Sequence, residues 1–198
     1  MSDKLPAALD PAERALLNDL WNKAATKITD PSDPAKAPGF GLNFRVNVRE
    51  ACVAVFHAAT AALKLGIQIH KPFDLLDWVE TGVHAVNAIR SVISAVAEQL
   101  AALDYITYVI LGQQPDGMDS NELKRKVEEF MTNPAAQDFA WYLGMNRKRS
   151  ALAQKDYSTP NWFEQTIKRL TDKNFVSIVD GTRFKFESRN FVSGCQEE

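Results

Sequence analysis

The sequence predicts a mainly α-helical chain in two parts: an N-terminal helical bundle over residues 8–115 and a C-terminal helix-and-hairpin unit over residues 116–190, followed by a flexible tail over 191–198. Three observations carry this. Apolar residues recur at helical spacing through most of the first part. The stretch "GQQPDGMDS", Gly112 to Ser120, concentrates turn residues near position 115 and marks the boundary. Asp180-Gly181, flanked by "FVSIV" and "TRFKF", is the strongest hairpin signal in the chain.

The first helix starts at "DPAER". Asp10 suits the N-cap, Pro11 the first helical position, and Glu13 can close a capping box. Leu16, Leu17, Leu20, Trp21, Ala24 and Ile28 form one apolar stripe. "TDPSDPAKAPGFG" follows as a proline-rich loop. A second helix is expected from about Asn43 to Leu65, with "ACVAVFHAATAAL" apolar nearly all round and therefore buried. Gly66 is its natural stop.

Pro72 opens a third helical region, with Asp74, Asp77 and Glu80 near its positive end. From Val86 the spacing becomes heptad-like. Val86, Ile93, Leu100 and Thr107 are seven apart, as are Ile89, Val96, Leu103 and Ile110. A continuous helix over that stretch would run for about 40 Å. The flanking positions Val92, Ala97, Ile106 and Val109 are apolar too, so this helix touches neighbours on more than one side. The pattern fits a bundle core. It also fits a homodimer or docking interface carried by Val86, Ile89, Ile93, Val96, Leu100 and Leu103.

In the second part, Asp119 and Glu122 make a capping box for a helix to about Thr132. Pro134 starts a short helix to Leu143, which Gly144 ends. Asn146 caps another, "RKRSALAQK". Thr159 and Pro160 are the expected N-cap and first residue of the next helix. Its inward face is Phe163, Ile167 and Leu170; its outward face is Asn161, Gln165, Lys168 and Arg169. Asn174 suits a left-handed stop. In the last strand Phe184 and Phe186 face one side, Arg183 and Lys185 the other.

The stretch Leu152 to Val176 resembles the helix-turn-helix core of winged-helix proteins, of the kind seen in MarR-like bacterial regulators. Leu152 and Ala153 match the start of that pattern, Phe163, Ile167 and Leu170 its inward positions, and Lys173 to Val176 its exit into the wing. Three features depart from it. Asp156, Tyr157 and Ser158 fill a turn that is usually apolar-Gly-apolar, Trp162 stands where small hydroxyl residues are common, and Glu164 is acidic. The resemblance covers residues 120–186 and implies a recognition helix in the major groove of double-stranded DNA.

Function follows from charge. The chain has 198 residues, 45% hydrophobic, with a net charge of −2, so the whole molecule is no basic glove. Residues 1–120 carry 10 Lys and Arg against 14 Asp and Glu, whereas 147–185 carry 9 against 4. Arg147, Lys148, Arg149, Arg183 and Lys185 are expected to meet phosphates, with Thr159, Asn161, Gln165, Lys168 and Arg169 on or beside the reading helix. The competing expectation is a protein-interaction subunit anchored by Trp162.

Enzymatic chemistry has little support. His57, His70 and His84 have no zinc-ligand spacing, and Glu80 with His84 makes neither HExxH nor ExxH. No phosphate loop, nucleophile elbow or dinucleotide fingerprint occurs, so no cofactor is expected. Cys52 sits in an apolar segment and Cys195 in the tail, which reads as a buried thiol in a reducing, cytoplasmic setting rather than a disulfide. "MSDKLPAALD" carries no signal-like apolar run, and residues 83–111 are broken by Arg90, Glu98, Gln99 and Asp104, so no membrane partner is expected.

Overall fold

The computed structural model describes residues 9–28, 42–66, 83–135, 140, 143–188 and 190–195. The linker at 29–41, the start of the third helical region at 72–82 with His70 just before it, and most of the short helix after Pro134 lie outside the described residues.

Helix α1 spans Pro11–Ala24, and the Asp10 carboxylate accepts the N–H groups of Ala12 and Glu13 at 2.8 and 2.9 Å. Leu17, Leu20, Trp21 and Ala24 are buried as the stripe requires, while Leu16 is exposed. The stripe ends sooner than expected. Ala25–Lys27 forms strand β1, so Ile28 lies beyond the helix.

The second helix is likewise shorter than its sequence suggests. Leu42–Asn47 forms strand β2, and α2 spans only Val48–Lys64. Phe44 and Val46 are buried and Arg45 is exposed, a two-residue alternation carried by strand-favouring Phe and Val. Asn47 caps α2 by accepting the Glu50 N–H at 3.2 Å. Strand β6, Asn190–Cys195, pairs antiparallel with all of β2 and completes the sheet β1-β2-β6. The expected loose tail is therefore a strand over 190–195. Its partner is nearly 150 residues away, a pairing invisible to local pattern.

The continuous heptad helix is also corrected. Helix α3 spans Val83–Gln99 and α4 spans Ala102–Gly112, with a break at Leu100-Ala101. Val86, Ile89, Ile93, Val96, Leu100 and Leu103 are all buried within this chain's own core. They form a bundle interior and offer no surface to a second copy. Every residue of α4 is buried.

The C-terminal elements follow the sequence closely. Met118–Asp119 (β3) leads into α5, Ser120–Thr132, where Asp119 accepts the Glu122 N–H at 2.9 Å. Helix α6 spans Arg147–Tyr157, capped by Asn146, and α7 spans Trp162–Asp172. Asn174 takes a positive φ of 57° as the exit from α7. Strands β4, Val176–Val179, and β5, Arg183–Phe186, turn through Asp180 and Gly181, both at positive φ. Strand β3 adds to β5, giving the order β3-β5-β4. This third strand needs Gly117: at φ 81°, its missing Cβ would sit 2.4 Å from the Phe184 carbonyl oxygen.

One apolar cluster runs through both parts. Tyr108 of α4 stacks on Phe186 at 4.0 Å, meets Phe175 edge-on at 5.2 Å, and donates its hydroxyl to the Glu187 carbonyl at 3.2 Å. Helix α4 is thus the common wall of the bundle and the hairpin unit, and the residue-115 boundary separates segments of chain without separating two cores.

Candidate nucleic-acid interface

The cations expected to contact DNA divide into two groups. Arg147 and Lys148 open α6 and are exposed, as is Lys155 in its last turn. Arg183 and Lys185 are exposed on β5 while Phe184 and Phe186 turn inward, as the alternation required. Lys168 is exposed on α7 and pairs with Asp172 at 2.8 Å, one helical turn on. Asn161, Glu164 and Gln165 are exposed on the same helix.

The second group points into the molecule. Arg169 binds Asp104 through two nitrogens: Nε reaches Oδ2 at 2.8 Å and Nη2 reaches Oδ1 at 2.6 Å. Asp104 is fully buried, and Nη2 also donates to the Thr166 hydroxyl at 3.3 Å. The bond to Asp104 pushes the guanidinium pKa further above its usual range. Arg149 donates Nη2 to the Leu100 carbonyl at 2.8 Å. Arg169 and Arg149, expected at base edges and phosphates, are engaged as internal ties in this structure. Spacing put Arg169 on the outward face, but its long side chain reaches back to a buried carboxylate on α4 that local pattern could not place beside it.

Lys173 was legible in the sequence only as part of the helix exit. Its Nζ donates to the Gln99 carbonyl at 2.7 Å. So three cations from α6, α7 and the α7 exit converge on the α3–α4 break. They supply positive charge at the C-terminus of α3, which has no basic residue in its own last turn.

Two further expectations shift. Thr159 does not cap α7: its hydroxyl and N–H both donate to the Asp156 carbonyl, at 2.7 and 3.0 Å, which ties it to the end of α6. The cap position falls to Asn161, left-handed at φ 59° and without a side-chain cap bond. Trp162 is half-buried, with ring contacts to Tyr157 at 5.2 Å and Phe163 at 5.4 Å. It packs on the module rather than standing out from it. Leu152, which matches the start of the helix-turn-helix pattern, is 47% exposed, whereas Ala153 beside it is buried.

Elsewhere, a groove of about 600 Å³ lies between α2, α4 and α5, lined by Phe56, His57, Lys64, Ile110, Lys126 and Phe130 among others. Its Lys126 pairs with Glu122 at 3.2 Å and its Glu129 with Arg125. Partial burial, then Lys64, push the His57 pKa down. The Cys52 thiol is free and buried, and burial pushes its pKa up to about 12, which favours the protonated form. Among the described residues, no three of His, Cys, Asp and Glu stand together as metal ligands. Among them, too, no helix is long and apolar enough to cross a membrane.

Compared with known proteins, the chain matches no family model, no curated protein and no solved structure.

Proposed function

We propose that the chain is a non-enzymatic, winged-helix DNA-binding protein, a regulator or the DNA-contacting subunit of a larger assembly. It would engage the duplex mainly through phosphate contacts from Arg147, Lys148, Arg183 and Lys185. The observation that carries this is the hairpin: aromatic residues of β5 turn into the core while its two cations face solvent. The helix α7 beside it presents Asn161, Gln165 and Lys168 outward. Phosphate contacts would outweigh base reading because Arg169 is committed to Asp104 and Glu164 stands exposed on the same helix.

Salt-titrated binding to a random-sequence duplex tests the reading. Each phosphate contact adds about 0.9 to the slope of log affinity against log salt. Neutralising Arg147, Lys148, Arg183 and Lys185 together is expected to lower that slope by about 3 to 4. An unchanged slope, or no duplex binding by the wild type at low salt, rejects it.

A second reading is favoured by a different observation. Leu152 on α6 and Ile178 on β4 are both about half exposed, at 47% and 50%, and β4 is an edge strand. A large exposed apolar residue on an open edge strand suits a protein partner. A partner complex lost on Ile178→Lys, in a protein without duplex affinity, supports this second reading over the first.

A further inference from the structure

The break between α3 and α4 has no cause in its own sequence. "EQLAALDY", Glu98 to Tyr105, contains neither glycine nor proline. Alanine is the best helix former and among the poorest N-caps, yet Ala101 stands at the N-cap of α4 with no side-chain bond to offer. The heptad stripe runs through the break in phase, from Val96 and Leu100 to Leu103 and Thr107.

The hydrogen bonds at the break are lopsided. In an unbroken helix the Leu103 N–H would bond the Gln99 carbonyl, and the Asp104 N–H the Leu100 carbonyl. Here those two carbonyls accept from Lys173 and Arg149 instead, at 2.7 and 2.8 Å. The first backbone bond of α4 is Tyr105 N–H to Ala101 O, at 2.9 Å. Leu103 and Asp104 lie in the first turn of α4, where N–H groups have no acceptor within the helix, and both residues are buried. Burying such donors costs free energy that contacts made elsewhere must offset.

We propose that the α3–α4 joint is a two-state element gated by the cations of the α6–α7 module. In the docked state, Arg149 and Lys173 hold the carbonyls of Leu100 and Gln99 and keep the joint open. In the resealed state, the two cations leave for a polyanion, and the Leu103 and Asp104 N–H groups take the carbonyls back. Arg169 stays on Asp104 in both states and keeps the module tethered to α4. Under the DNA-binding reading, on which the identity of the polyanion rests, phosphates of the duplex draw out Arg149 and Lys173. Occupancy of the module is then transmitted into the helical bundle.

Amide hydrogen exchange of Leu103 and Asp104 in the full chain tests this. Free wild-type protein is expected to exchange them at least tenfold faster than Tyr108 and Val109 of the same helix. Saturating random-sequence duplex is expected to slow both amides at least tenfold. The double variant Arg149→Gln, Lys173→Gln is expected to show the same slowing with no duplex present. Ala101→Pro, which suits the extended cap at φ −60° but bars a continuous helix and offers no side-chain acceptor, is expected to keep both amides fast with duplex bound. The double variant needs no DNA. A wild type that fails to bind duplex therefore removes the DNA reading while this arm still decides the joint. Folded double variant with both amides unchanged within threefold overturns the proposal. If the double variant does not fold, Ala101→Pro decides: slowing by duplex equal to that of the wild type overturns the proposal, and its loss supports it.

Discussion

The hairpin unit and the β1-β2-β6 sheet are both three-stranded and antiparallel, and both rest on buried aromatic or β-branched residues. They differ in how far apart their partners lie. In the hairpin, β4 and β5 are joined by a turn of Asp180 and Gly181, and each residue of one strand meets one only a few positions away. In the other sheet, Phe44 meets Ser193 and Val46 meets Phe191. A turn carries its own chemistry, so the β4–β5 pair can be read from a short window of sequence, while β3 joins it from 64 to 66 positions away. The other sheet depends on where the rest of the chain has already been folded. The same contrast holds for charge. Lys168 pairs with Asp172 within one helix, whereas its neighbour Arg169 pairs with Asp104, 65 positions away.

The comparison predicts a ranking of consequences. Phe186→Ala removes the ring stacked on Tyr108 and packed beside Gly112, and is expected to cost about 4 kcal/mol in urea unfolding. A loss under about 1 kcal/mol would mean the hairpin is not welded to α4. Arg169→Ala strands the buried Asp104 carboxylate and is expected to cost about 3 kcal/mol, the low end for a broken buried pair because the guanidinium is partly exposed. Lys168→Ala, one residue away, is expected to cost under about 0.5 kcal/mol. Equal costs would abolish the distinction between the two faces of α7.

Ending the chain after residue 189 deletes six cross-strand pairs of β6 and is expected to cost roughly 2 kcal/mol, at about 0.3 kcal/mol per pair. Hydrogen exchange should rise in β2 and leave β4–β5 nearly unchanged. Comparable acceleration in both sheets would show that they unfold as one unit. The smallest effect concerns His57. Its pKa is lowered in the folded chain, so the unfolded chain binds more protons just below the usual histidine value. This group's contribution is therefore full above about pH 6.5 and is lost as pH falls from there through its folded pKa. His57→Gln is expected to flatten that part of a Tm-against-pH profile. A profile unchanged by the substitution would put the acid sensitivity elsewhere.

Much of the hairpin unit was legible because its signals are local. Asp119, Asn146, Asn174 and Asp180-Gly181 each act on neighbours within a few residues, through caps and positive φ. The inward face of Phe163, Ile167 and Leu170 follows from the helical repeat alone. Strand β3 was missed because two residues make no periodicity, and the start of α7 was misplaced because Thr159 bonds backward to α6. At the candidate interface, exposure of Arg147, Lys148, Arg183 and Lys185 agreed with the sequence. The inward commitment of Arg149 and Arg169 did not, since the reach of an arginine exceeds what helical phase can specify.

By itself, then, the sequence determined the helices wherever cap and stripe agree, the hairpin and its inner and outer sides, and the burial of the heptad residues. Those are consequences of backbone chemistry and of a repeat matched to 3.6 or 2 residues. Only the tertiary structure decided that 42–47 and 190–195 are partners, and that the heptad helix breaks at Leu100-Ala101. The same structure placed Arg149, Arg169 and Lys173 around that break. Local preference favours continuous helix there. At the break, cations from elsewhere in the chain hold the carbonyls that the next turn would have used.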